Sequence, residues 1–360
     1  MTPLFFTIAN AVMPPISWVL CSPAGHGHTA RIESQNKIKT IERVEFTNRL
    51  LGGNLTIRQM VERIQAEDRF RSLWLAEGLG QHYGNRVLAQ SENPRNILAG
   101  GEGADITEDY MLMVHAGMAL AFARHHWDRI GKSASKEQIG DAVRRIAELV
   151  EANAIAGYSG ISYEAWGMVT RFFYKPVFLT AAEALGSFDA PHVANFWHGA
   201  GRACYFYDFM PKWKEPWPVF QRIDRESVDS ISRLNLLAGL GSVTVIVNMR
   251  SPEVLETLVR ERVMQRTPEE IEAYSQGIAC SMVMRQDTTR NEENALALVR
   301  HKPSPGMQET WEKVVAGPAR LALETIHPLL RTERRLDEIT CFRPIGQILA
   351  KTAVPGQPTG

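Results

Sequence analysis

The sequence has no excess of charge of either sign: 40 Lys and Arg meet 40 Asp and Glu, so the formal net charge is zero. A nucleic-acid partner needs a basic excess or stripe, and neither is present. Cysteine is scarce, with Cys21, Cys204, Cys280 and Cys341 scattered and no close pair or metal spacing. That removes a disulfide framework and points to free thiols in a reducing cytoplasm. There is no Gly-x-Ser-x-Gly elbow, which argues against a hydrolase of the usual α/β form. No Asp-Asp-x-x-Asp run occurs either, which argues against metal-dependent ionisation of a prenyl diphosphate. Gly100-Gly101-Glu102-Gly103 lacks a preceding strand signal and a following Lys-Ser/Thr, so it is no phosphate cradle.

Long apolar runs are few. Met1–Cys21 has no basic start and is interrupted by Pro3, Pro14 and Pro15, which makes it a poor export signal and too short and broken to span a bilayer. We read residues 1–36 as a leader or docking arm with a linker, residues 37–330 as one helical domain, and residues 331–360 as a tail. No transmembrane span is expected.

What the chain does have is a repeated kernel of two small residues flanking an apolar one. It begins at Gly78, His115, Ala165, Gly199, Gly239 and Gly277, and is clearest in Phe196–Tyr207. The spacings of 37, 50, 34, 40 and 38 residues are those of helical-pair repeats. On a helix, residues two apart lie about 200° apart, so each kernel helix is slim on both flanks and fits between two neighbours. The expected fold is therefore all-α, with helical-pair repeats and six Gly-rich inner helices arranged as an α/α toroid or solenoid.

The residue before each kernel points away from its apolar centre, and this side carries Glu77, Glu164, His198 and Gln276, with Arg202 one turn beyond His198. If the helices surround an axis, these groups line a shared cavity. The alternative is that they are solvent-face residues, or buried polar groups satisfied by neighbouring backbone. Glu77 and His198 sit in very apolar company, Leu73-Trp74-Leu75 and Phe196-Trp197, where a polar group needs a partner.

The ordered series Ala76-Glu77-Gly78-Leu79-Gly80, Val114–Ala119, Tyr163–Met168, His198–Ala203, Ala238–Gly241 and Ser275–Ala279 resembles the UnbL-type bacterial family of unknown function that accompanies enediyne polyketide synthases. The resemblance covers roughly Ile41 to Leu323. It implies a cytoplasmic protein of specialised metabolism working on or beside an apolar polyene or polyketide, with a polyketide synthase as a candidate partner. It supplies no catalytic residue.

Three classes follow. An enzyme would enclose an unsaturated chain among Trp74, Tyr163, Trp166, Trp197 and Tyr205, with Arg202 and Gln276 as polar contacts. It would use Glu77 or Glu164 as general acid and His198 as base for cyclisation or isomerisation without redox. Protonation-initiated terpene cyclisation belongs to the same chemistry. No cofactor is expected; the variant with one has a transition metal on Glu77, Glu164 and His198, although the Glu-x-x-His signature of di-iron bundles is missing. The other classes are a binding protein that holds a polyene or partners a synthase, and a helical scaffold whose glycines serve packing alone.

Overall fold

The computed structural model describes residues 3–207 and 210–350, and the protein is all-α. Its first half comprises α1 (Pro3–Cys21), α2 (Gly27–Leu50), α3 (Ile57–Gln65), α4 (Ser72–Gln90), α5 (Met111–Ile130), α6 (Lys136–Asn153), α7 (Ser159–Phe173), α8 (Lys175–Phe188) and α9 (Ala190–Tyr207). The second comprises α10 (Val219–Glu226), α11 (Ser230–Asn248), α12 (Pro252–Glu261), α13 (Pro268–Thr288), α14 (Glu293–Arg300), α15 (Gln308–Trp311), α16 (Gly317–Leu321), α17 (His327–Thr332) and α18 (Ile345–Ala350). The wide π turns Glu312–Ala316 and Ala322–Ile326 join α15, α16 and α17 into one irregular rod. Among the described residues, extended pairing is limited to an isolated bridge between Lys212 and Glu215.

Local chemistry sets several starts. Thr56 with Gln59, Ser135 with Gln138, Asp229 with Ser232 and Thr267 with Glu270 form reciprocal capping boxes. The β-branched run Val243–Val247 competes for strand, yet it is helical. Burial on every side of α11, together with its Asp229 cap, outweighs a propensity difference of a few tenths of a kcal/mol per residue.

The kernel helices α4, α5, α7, α9, α11 and α13 pack in that succession, and α13 also touches α4 and α5. Glycine permits this spacing. A Cβ on Gly199 would lie 1.8 Å from the Glu164 carbonyl oxygen, one on Gly239 1.9 Å from that of His198, and one on Gly277 1.8 Å from that of Ala238. The second small residue faces the next helix: Gly167 meets the Phe196 carbonyl, Gly201 that of Leu236, and Gly241 that of Tyr274. The α9 and α11 kernels thus press one glycine against the backbone of the helix before and another against that of the helix after.

In α5 the glycine that meets the preceding helix is Gly117, against the Glu77 carbonyl oxygen. It occupies the place that Gly199, Gly239 and Gly277 occupy in their helices. The α5 kernel is therefore Gly117-Met118-Ala119, two residues later than the sequence pattern suggests. His115 instead ties backbone together, with its Nδ1 2.7 Å from the Met111 carbonyl oxygen and its Nε2 accepting from the Ile155 N–H at 3.1 Å. Those two bonds together define a neutral ring with the proton on Nδ1.

Two expectations about boundaries meet a different arrangement. α2 runs unbroken from Gly27 to Leu50, so the expected linker and the division at residue 36 fall inside a helix. The physical reason is a buried cluster on that helix: Glu33 accepts from Tyr205 Oη at 2.5 Å and from Trp217 Nε1 at 2.7 Å, and Lys37 Nζ is 3.6 Å away. Thr47, also on α2, fills the space beside Gly78. The expected tail begins inside α17, and its Leu336–Thr340 turn carries the buried Leu336 and Ile339; residues 351–360 lie outside the described residues. The aromatic, proline-rich segment 208–220 ends in α10 and buries Trp217, while residues 208 and 209 lie outside the described residues. By length and composition, Phe5–Ala24 and Ser230–Asn248 are apolar enough to cross a membrane, and the second is mostly buried within the protein.

Candidate functional site

The close approach of α7 and α9 brings together polar side chains that the sequence separates by 34 and 38 residues. Glu164, fully buried on α7, receives Arg202 Nη1 at 2.9 Å on Oε1 and 2.8 Å on Oε2. His198 Nδ1 lies 3.3 Å from Glu164 Oε1. Arg202 and His198 are one turn apart on α9, so a single carboxylate from the facing helix can hold both.

The electrostatics follow from burial. Burial alone would push the Glu164 carboxyl up, but Arg202, with hydrogen bonding from His198, outweighs it and holds the group below its ordinary value. Glu77 on α4 goes the opposite way. Burial raises it, the Arg202 charge pulls it down in part, and the charge on Glu164 adds to the rise. One carboxyl is thus held ionised and its neighbour biased towards the proton, the division of labour that acid/base chemistry uses. Burial also lifts the Cys280 thiol far above its usual range, with Glu164 adding to it, so this cysteine stays protonated.

Three atoms around this centre are shut off from solvent and lack a hydrogen-bond partner among the described residues: Glu77 Oε1, His198 Nε2 and Arg202 Nε. Buried polar atoms are nearly always partnered, so water or a ligand would complete the bonding of these three, as at other unpartnered buried atoms such as His126 Nε2 and Trp311 Nε1. Pairing of Arg202, Glu164 and His198 was open to sequence reasoning, because each precedes or follows a kernel at a fixed offset. Cys280 shares that offset on α13 but carries no separate signal of its own.

The remaining expected site residues are not gathered there. Trp166 is fully buried against Tyr163 and Phe196, with ring centroids 5.7 and 5.4 Å away. Trp197 packs edge-on against Phe178 of α8 at 5.0 Å. Tyr205 belongs to the Glu33 cluster, where Asn248 Nδ2 also donates to its hydroxyl at 3.0 Å. Tyr163 stacks on His192 at 4.1 Å. An aromatic wall around the carboxylates is therefore not formed by these four rings. On a helix, neighbours of an inward residue turn about 100° away and meet the adjoining helices instead. Gln276 Nε2 donates to the carbonyls of Ile339 and Cys341 at 2.8 and 3.1 Å, anchoring the C-terminal segment, while its Oε1 is unpartnered among the described residues.

For a metal at Glu77, Glu164 and His198, both Glu164 oxygens are already engaged by Arg202, whose cation would have to give way first. Among the described residues, the group with three ligand atoms mutually within 4.8 Å is Glu151, Asp189 and His192, where His192 Nδ1 pairs with Asp189 at 2.8 Å. Two open clefts lie away from both groups, one lined by Leu55, Gln59 and Arg63, the other by Met111, Tyr158 and Arg331. Compared with protein-family models, curated proteins and solved structures, the chain matches none.

Proposed function

We propose that the protein is a non-redox acid/base enzyme of bacterial specialised metabolism, of the enediyne or polyketide kind. On this reading it cyclises or isomerises an apolar, polyene-like substrate among six inner helices that form an α/α toroid. The observation that carries the reading is the trio of orphaned atoms, Glu77 Oε1, His198 Nε2 and Arg202 Nε, about the buried Glu164–Arg202 pair. The contact of α13 with both α4 and α5 supports an arrangement about a common axis. The resemblance of the kernel series to the UnbL-type family supports the metabolic setting and a synthase as partner.

In the proposed reaction the Glu77 carboxyl donates its proton to a substrate alkene or enol carbon, forming a C–H bond and leaving a cationic or oxocarbenium centre. His198 Nε2 then removes a proton from an adjacent carbon, and that C–H electron pair becomes the new double bond. Glu164 steadies the imidazolium formed, as a carboxylate does behind a general-base histidine. Glu77 ends as carboxylate and His198 as imidazolium, and one proton passed between them resets the site. Cyclisation, including that of a linear terpene, adds one step between these two: the π pair of an internal alkene attacks the cationic carbon, forming the ring C–C bond and moving the positive charge to the carbon beside which His198 then takes the proton.

A second reading, a non-catalytic holder or scaffold partner of a synthase, draws on a different observation. The glycine-to-carbonyl packing closes the helices tightly, and two open clefts lie elsewhere. The deciding experiment is mass spectrometry of small molecules and metals that co-purify with the protein, followed by turnover of any polyene found. Under the enzyme reading Glu77→Gln and His198→Ala retain fold and ligand but lose turnover. Variants that change stability alone, on a protein that carries no ligand, would sink it.

A further inference from the structure

The most anomalous surface of the molecule is α1. One of its faces is committed to the protein: Phe6 and Ala9 pack with Ile38 of α2, flanked by Met13 and Ile41, and Ser17 and Cys21 are buried. The opposite face is apolar and exposed, with Ile8 53%, Val12 47%, Ile16 43% and Val19 54% accessible. At 100° per residue these four fall within roughly 80° of the helix circumference, a continuous stripe rather than scattered exposure. No residue of Pro3–Cys21 is charged. Exposed apolar surface this continuous marks an interaction site.

The surroundings of the stripe indicate what covers it. Exposed Trp18 (49%) lies near its C-terminal end. The Lys214 N–H donates to the Leu20 carbonyl at 3.0 Å, which fastens the exposed turn Lys212-Trp213-Lys214 beside the same end; Trp213 is 61% accessible. An apolar stripe bordered by two indoles and two ammonium groups matches the layering of a lipid surface: acyl chains, then the headgroup boundary favoured by Trp, then anionic phosphate. A helix or a second copy of this chain would match the stripe but gives no use to the basic, Trp-bearing rim.

We propose that the α1 stripe and the Lys212–Lys214 turn together dock the protein on the surface of an anionic phospholipid bilayer, with α1 lying in the interface plane. The helix does not cross the bilayer, because its other face remains packed on α2. Docking of this kind is independent of the acid/base chemistry proposed above.

The test uses the full-length protein with vesicles of phosphatidylcholine, alone or mixed with phosphatidylglycerol. Co-sedimentation with the mixed vesicles and a blue shift of tryptophan emission are expected. The double substitution Ile8→Asp/Ile16→Asp, on the exposed face, is expected to lower partitioning on the order of tenfold or more while leaving the circular dichroism spectrum unchanged. Lys212→Glu/Lys214→Glu tests the rim without touching α1, and is expected to lower binding to the anionic vesicles. Failure of the parent protein to bind either vesicle would overturn the proposal. So would binding that both double variants retain, or a parent protein that forms dimers which Ile8→Asp/Ile16→Asp dissociates while vesicles leave them intact.

Discussion

Replacing one hydrogen atom at Gly199 with a methyl group tests how far the whole arrangement depends on backbone contact. The added Cβ would sit 1.8 Å from the Glu164 carbonyl oxygen and 2.7 Å from its carbon. Unstrained carbon–oxygen contacts begin at about 3.3 Å, so α7 and α9 would have to separate by about 1.5 Å. The obstacle is backbone on both sides, and no rotamer change relieves it. Overpacking of this kind costs about 1–3 kcal/mol, and a clash without a flexible partner belongs at about 3 kcal/mol. Gly140, in the second turn of α6, is the internal control: a Cβ there meets nothing within 4 Å. Its replacement by alanine is expected to stabilise by about 0.5–1 kcal/mol through the lost backbone freedom of the unfolded chain. Two glycine-to-alanine changes in one chain are thus expected to differ by about 4 kcal/mol in opposite directions. Urea unfolding followed by far-ultraviolet circular dichroism reads the difference. Stabilities for the two variants within about 1 kcal/mol of each other would refute the reasoning, since that is the spread of ordinary surface substitutions.

Further outcomes can be measured on the same material. Arg202→Met leaves the buried Glu164 carboxylate without its cation and is expected to cost about 3–5 kcal/mol; adding Glu164→Gln should restore much of the loss, and no restoration would speak against the pair. His115 is held neutral, with burial driving its pKa down from 6.5 to about 4. Its folded value lies below its unfolded one, so its contribution is complete above pH 6.5 and lost as pH falls towards 4, by about 3 kcal/mol. An unfolding series across that window should show the slope, and His115→Gln should flatten it. Glu77 has a raised folded pKa, so its contribution is present below the unfolded carboxylate value and fades as pH climbs through the folded one. Glu77→Gln is therefore expected to unfold no more easily than the parent at neutral pH, and a markedly less stable variant would contradict a buried, proton-holding carboxyl.

The carboxylate–imidazole–guanidinium group was legible in large part from spacing. Glu164 and His198 each stand one residue before a kernel, and Arg202 stands one turn after His198, so any arrangement that packs α7 on α9 through their glycines brings the three together. The four aromatic rings were not legible in the same way. Tyr163, Trp166, Trp197 and Tyr205 are apolar or amphipathic residues near kernels, and periodicity alone could not say which neighbouring helix each ring would meet. Nor could it place Glu33: a lone carboxylate in a stretch with Gly, His and Ser reads as linker until Tyr205 and Trp217, far along the chain, are seen to donate to it.

The sequence by itself determined the helical class, because its apolar residues and caps follow helical spacing along the chain. It also determined the capped starts at Thr56, Ser135, Asp229 and Thr267, since capping is a matter of three or four neighbouring residues. Only the tertiary structure decided the α5 register, because Ala116, Gly117 and Ala119 are all small and just the approach of the Glu77 carbonyl selects Gly117 as the contact. It likewise decided which carboxyl of Glu77 and Glu164 stays ionised. That outcome depends on where one guanidinium lies in three dimensions, and no local pattern encodes it.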